Sequence, residues 1–233
     1  MRIIHCAILG SFLLSSGFLQ GISPPAKMLE AELFTIENGL SQTRVSTSFS
    51  DSYGYLWAGS SDGLNLYDGY KFQIYKHIPY DSTSLSQNFI RCITEDKNKN
   101  LWVGTDFGLN FYDRNTGKFK QFYHQEGDTS GISENQVLSV LADKKGFIWI
   151  KTGKHLDLMD PVHGTITHFR HYYNSFNKDL GIGNLPLIED KNGLIWFGSN
   201  DGLFSFNPED SKFEHFFHNS QSAESLSDNE VLS

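Results

Sequence analysis

Cysteine is nearly missing from this chain: Cys6 and Cys92 are the only two among 233 residues. Cys6 falls in the first apolar stretch, so a chain cleaved after that stretch keeps one thiol and no intramolecular disulfide. Cys92 sits in an alternating apolar segment and reads as a small core residue, not a nucleophile. Positive charge is also short. Against 27 Asp and Glu there are 19 Lys and Arg, a formal charge of −8. No basic cluster breaks that acidic background, which excludes nucleic acid as a partner of this region. Long apolar runs are confined to the N-terminus. Arg2 precedes a run from Cys6 to about Leu19, and Gly21 to Pro25 break it. This is the layout of an export signal over residues 1–23, with an uncleaved anchor as the alternative. Nothing later approaches the about 18 apolar residues of a membrane span. The remainder is expected to be exported and soluble.

Aromatic residues, by contrast, make up 14% of the chain. The four tryptophans, Trp57, Trp102, Trp149 and Trp196, recur at intervals of 45, 47 and 47 residues inside one local pattern. That pattern runs from Asp51 to Asp68, Asp96 to Asp113, Asp143 to Asp160 and Asp190 to Asn207. Short strand-like runs separated by glycine turns at such a period point to propeller blades. The expected fold is an all-β β-propeller with four complete four-stranded blades, at about 45–84, 85–131, 132–178 and 179–225.

Within a blade, each recurring residue type has a structural reading. Inner strands are expected over 45–49, 89–93 and 137–141, and in abbreviated form over 185–188. An Asp-x-x-Gly turn follows, with Gly54, Gly146 and Gly193 in the last place and Asn100 standing in once. Asp51, Asp96, Asp143 and Asp190 therefore read as turn formers, not as the paired carboxylates of a glycosidase. The Trp that follows keeps to one face and is expected to pack on the adjacent blade. The outer strands lead to His77, His124, His171 and His218, each 47 residues from the next. The even spacing resembles a metal ring, but equivalent positions lie on different blades, whereas zinc draws its ligands to within about 2.0–2.1 Å of one point. No catalytic residue, metal or cofactor is expected.

The two ends match parts of the repeat. Glu32 to Ser41 resembles an outer strand and connecting loop, so residues 24–44 are expected to supply an N-terminal closing strand and loop. Residues 226–233 match Leu85 to Cys92 and Ile132 to Ser139, the opening of a blade. The chain therefore reads as a fragment holding four blades of a larger ring and the start of a fifth.

Three motifs now stand together: Asn-x-Val/Ile-x-x-Ile/Leu-x-x-Asp, Gly-x-Ile/Leu-Trp-x-Gly-Ser/Thr and Gly-Leu-x-x-Tyr/Phe-Asp/Asn. From about residue 30 onward the chain resembles the two-component regulator propeller repeat of Bacteroidota hybrid histidine kinases. Thr43 in the Asn slot and Phe49 late in its strand are departures. The resemblance implies a seven-bladed ring, a second propeller and a β-sandwich downstream, a possible homodimer and a membrane crossing that anchors the parent in the inner membrane. It also implies an oligosaccharide ligand that switches glycan-utilisation genes. Kinase chemistry would belong to the parent, since no phosphoacceptor His motif, nucleotide-binding glycine box or receiver Asp pocket is found in the sequence. A secreted scaffold or adhesin that binds protein is the alternative, followed by a propeller glycosidase or lyase.

The third repeat breaks its own rules. Lys151 replaces the glycine of Gly59, Gly104 and Gly198, His155 replaces Gly63, Gly108 and Gly202, and Asp157 stands where repeats one and two have Asn65 and Asn110. Functional sites are expected where local rules fail; drift, with Gly153 supplying a left-handed backbone, is the alternative. The loop from His171 to Lys178 adds Tyr172, Tyr173 and Phe176 among amide and hydroxyl residues, a composition suited to sugar rings or to a neighbouring domain. Candidate ligand-binding residues are therefore Lys151, His155, Asp157, Tyr172, Tyr173 and Phe176.

Overall fold

The computed structural model describes residues 32–170, 186–199 and 201–231, so the export signal over 1–23 lies outside the described residues. Blade 1 holds β1 (Val45–Ser50), β2 (Leu56–Ser60), β3 (Gly63–Tyr67) and β4 (Phe72–Tyr75); blade 2 holds β5 (Ile90–Glu95), β6 (Leu101–Thr105), β7 (Gly108–Asp113) and β8 (Lys118–Phe122). Blade 3 holds β9 (Ser139–Ala142), β10 (Ile148–Lys151), β11 (His155–Asp160) and β12 (Thr165–Arg170); blade 4 holds β13 (Ile188–Glu189), β14 (Ile195–Ser199), β15 (Gly202–Asn207) and β16 (Lys212–Phe216). Each sheet is an antiparallel meander in chain order. First strands of successive blades lie side by side, β1 with β5 and β5 with β9. This is the arrangement of propeller blades.

The turn between first and second strands is built by its aspartate. Asp51 Oδ1 accepts from the amides of Tyr53 (3.0 Å) and Tyr55 (2.9 Å), while Oδ2 accepts from Trp57 Nε1 (2.8 Å). The Asp–Trp bond recurs at 3.0 Å in blades 2 and 3 and 3.2 Å in blade 4. Hydrogen bonds to a charged acceptor contribute about 1.5–3 kcal/mol each, so one side chain ties the turn to the tryptophan. Burial alone would raise the Asp51 carboxyl, but the bonds from Trp57, Arg114 and Tyr55 outweigh it and hold it below the usual range. In blade 2 the place of Gly54 is taken by Lys99 at φ 67°, not by Asn100. Asn100 occupies the Tyr55 position and gives its amide to Asp96 Oδ1 at 3.0 Å. The aspartate bonds hold the turn despite a left-handed lysine that costs about 1–2 kcal/mol.

Tryptophan then joins the blades. Trp57 lies in a core with Leu85, Ile90, Leu101 and Val103 of blade 2, Trp102 with Ile132, Val137, Ile148 and Ile150 of blade 3, and Trp149 with Leu187, Ile195 and Phe197 of blade 4. Trp196 is half-buried and stacks on Phe216 of its own blade at 5.6 Å. Glycine sets the distance between blades. A Cβ on Gly104 would stand 2.4 Å from Cys92 Sγ and 2.6 Å from Val137 Cγ1, so any side chain there pushes the next blade away. Burial raises the Cys92 thiol to about 12, which keeps it protonated.

The spaced histidines lock the connections between blades. His77 Nδ1 meets the Leu85 carbonyl at 2.8 Å, and the His77 amide donates to Asn88 Oδ1 at 2.7 Å. His124 repeats this with Ile132 (3.1 Å) and Asn135 (2.8 Å), and His218 with Leu226 and Asn229 (both 2.6 Å). His171 lies outside the described residues. Of the expected closing strand and loop over 24–44, residues 24–31 lie outside the described residues and 32–44 hold no strand. Thr35 instead caps a short 3₁₀ turn, Ile36–Asn38, and Phe34 packs on Tyr67 (4.7 Å) and Phe72 (5.4 Å). Beyond blade 4, the Val231 amide donates to Ser199 O at 2.8 Å, as the Val137 amide does to Thr105 O at 3.1 Å. Residues up to 231 thus begin a further blade in the manner of blade 3.

Candidate functional site

The departures of blade 3 meet at the turn from β10 to β11. Lys151 is 2% exposed and Asp157 0%. Lys151 Nζ donates to the carbonyls of Thr152 (2.5 Å) and Gly153 (3.3 Å) and stands 5.4 Å from the ring centre of Phe197 in blade 4. Burial pushes its ammonium down to about 7, against the opposing pull of Glu134 and Asp157. The turn itself is rebuilt. Neither His155 nor Gly153 is left-handed, so the glycine substitution suggested by the sequence is not the device used. Glu134 organises the turn instead, accepting from the amides of Gly153 and Lys154 (both 3.1 Å) and facing His155 Nδ1 at 3.3 Å.

Asp157 takes over a position that blade 2 fills with an amide. Asn110 Oδ1 accepts from the Ser86 amide at 2.7 Å, and its Nδ2 donates to Ser86 Oγ (2.8 Å) and Val103 O (3.2 Å). An ionised aspartate has no hydrogen to donate. Asp157 accepts from the Ser133 amide (2.7 Å), from Ser133 Oγ and from His168 Nδ1 (2.9 Å). His168 Nε2 faces the Thr129 carbonyl at 3.0 Å. Burial works against charge on His168, but its bonds to Asp157 and Thr129 prevail and raise its pKa.

Ser133, His168 and Asp157 do not form a nucleophilic triad. Serine and aspartate share the same ring nitrogen, the other faces a carbonyl, and a triad needs its serine on the nitrogen opposite the aspartate. The residues missed by sequence reading are Glu134, Ser133 and His168. Glu134 stands at the repeat position of Gln87 and His168 at that of Gln121, so each is a charge-bearing replacement of a neutral amide. Across the blades the outer-strand place reads Ile74, Gln121, His168 and His215, and the connecting place reads Gln42, Gln87, Glu134 and Asp228, so neither breaks a rule that the sequence displays.

A second group adjoins this one through the connection between blades 2 and 3. Arg91 is ion-paired with Asp106, whose Oδ1 also accepts from Gln136 Nε2 at 3.3 Å. The Arg91 guanidinium lies 5.3 Å from the Phe89 ring, and Phe107, 51% exposed, stands 5.7 Å from Tyr123. Glu134 and Gln136 come from one short segment, so the polar groups at the β6–β7 and β10–β11 turns form neighbouring parts of one surface. Tyr172, Tyr173 and Phe176 lie outside the described residues. Among the described residues no group of three or more His, Cys, Asp and Glu is arranged to hold a metal ion.

The family described as "Two component regulator propeller" matches residues 84–107, the stretch from the Ser84 turn through β5 and β6 to Phe107. Residues 84–107 are thus similar to a two-component regulator propeller repeat. The chain is also 51% identical over 53 residues to histidine kinase P4 of Formosa agariphila, a match that covers 23% of the chain and 4% of that kinase. The extracellular domain of a hybrid two-component system of Bacteroides thetaiotaomicron superposes with a TM-score of 0.62 at 26% identity, over 76% of the chain and 23% of that domain. A second such domain from the same organism gives a TM-score of 0.62 at 21% identity over 87% of the chain and 27% of its own length, a likeness of fold. The chain thus spans about a quarter of the solved domains it resembles.

Proposed function

We propose that this regulator propeller is the N-terminal sensing region of a periplasmic, membrane-anchored hybrid histidine kinase, and that it binds oligosaccharides to control glycan-utilisation genes. The observation that carries the reading is its likeness, at 26% identity, to the extracellular domain of a hybrid two-component system. Kinase chemistry belongs to the parent chain, with a second propeller and a β-sandwich downstream and a homodimer as the signalling unit. The candidate surface joins Phe107 and Tyr123, whose ring faces suit the apolar side of a pyranose, to Asp106, Gln136, Glu134 and His155, which suit its hydroxyls. Lys151 and Asp157 lie behind this surface and shape it rather than touch a ligand. A bound sugar can shift a signalling equilibrium only by its differential affinity for the two states.

The test is calorimetric titration of the exported chain with neutral and acidic oligosaccharides. Saturable binding of one class, weakened about tenfold or more by Phe107→Ala, a loss of about 1.4 kcal/mol, is the expected result. Absence of saturable binding to every class would remove the sugar reading, and a parent reading frame without a kinase core would remove the signalling one.

A further inference from the structure

The bonding of His168 carries information about its proton. Its two ring nitrogens face two acceptors, Asp157 Oδ1 at 2.9 Å and the Thr129 carbonyl at 3.0 Å. Neither acceptor can donate, and only the doubly protonated imidazolium donates from both nitrogens. A neutral ring bound to Thr129 would turn the lone pair of Nδ1 toward the buried Asp157 carboxylate. Ser133 Oγ, 2.8 Å from the same nitrogen, would then have to abandon Asp157 to satisfy it. In blade 2 the corresponding Gln121 Nε2 donates to the Ser84 carbonyl at 2.9 Å, with no ionisable hydrogen involved.

We propose that the connection entering blade 3, from Thr129 to Ser133, is held by a proton on His168 and forms a pH-operated latch absent from blade 2. Lys151 on β10 acts on Asp157 from behind, and Glu134 with His155 and Lys154 lies beyond it. Asp128 precedes Thr129, but its carboxylate is taken by Ser130. Arg170 on β12 itself is exposed. The stabilisation is complete below the ordinary histidine range and is lost as pH rises through the elevated value of the folded protein. Since the same connection presents Glu134 and Gln136, releasing it would disorder the candidate ligand surface.

The test is amide hydrogen exchange of the whole chain between pH 5 and 9, expressed as protection factors, with residues 82–86 as an internal control. Loss of one charge-assisted bond should lower protection of 129–133 about tenfold or more toward high pH, while 82–86 holds steady. His168→Gln with Asp157→Asn, which rebuilds the blade 2 pair, should keep the protection and abolish its pH dependence. Parallel protection of both connections across the range would overturn the latch. So would a nuclear magnetic resonance titration placing the His168 midpoint at or below the ordinary histidine value, a readout that needs no variant.

Discussion

Blades 2 and 3 share a fold, a strand register and an Asp–Trp turn, yet they fill the same four positions with opposite chemistry. Where blade 2 has Gly104, Gly108, Asn110 and Gln121, blade 3 has Lys151, His155, Asp157 and His168. The sheet tolerates the exchange because the positions demand shape and a count of hydrogen bonds rather than particular residues. Asp157 still receives the serine amide that Asn110 receives, at the same 2.7 Å. What changes is charge in a dry place, which costs free energy unless it is paired and bonded. A propeller made only for stability would use four copies of blade 2.

The largest blow to the shared frame should come from Trp102→Ala, which strips the blade 2–3 junction and is expected to cost about 3–5 kcal/mol in denaturant unfolding; Trp196→Ala, at a half-buried ring, should cost clearly less. Equal losses would show that tryptophan acts within a blade and not between blades. Lys151→Met should stabilise the chain by removing a cation from a dry place. The sign follows from its folded pKa of about 7 lying below the ordinary lysine value of 10.5. The burial cost is full below pH 7 and fades toward pH 10, so the gain should be larger at pH 6 than at pH 9. A gain independent of pH would mean that Lys151 packs badly and is not a buried charge. Gly104→Ala should cost about 1–3 kcal/mol by overpacking Cys92 and Val137, and no loss would show that the blades separate freely. The smallest effect is expected of Lys99→Gly, a gain of about 1 kcal/mol from relieving a left-handed lysine, less the loss of its contact at 4.6 Å with the Tyr53 ring.

Periodicity made most of the fold legible. The tryptophan spacing marked the blades, the aspartates announced their turns, and the described members of the even histidine series hold the connections between blades. Sequence reading erred where the outcome depends on neighbours in space. Asn100 looked like the left-handed residue because asparagine tolerates that backbone, but the Asp96 bonds set the register and left Lys99 there. At the candidate site, Lys151, His155 and Asp157 were legible as broken rules, since each replaces a residue that recurs elsewhere. Their burial, and their link to Glu134 and His168 on separate elements, were not, because the outer-strand and connecting positions vary among repeats and carry no rule to break.

The direct test of blade 3 as a site and not a drifted repeat is ligand affinity after restoring blade 2 residues where the cluster reaches solvent. His155→Gly with Glu134→Gln should leave the chain folded and weaken oligosaccharide binding about tenfold or more. Undiminished affinity in a folded variant would contradict the account and return blade 3 to an ordinary, drifted member of the array.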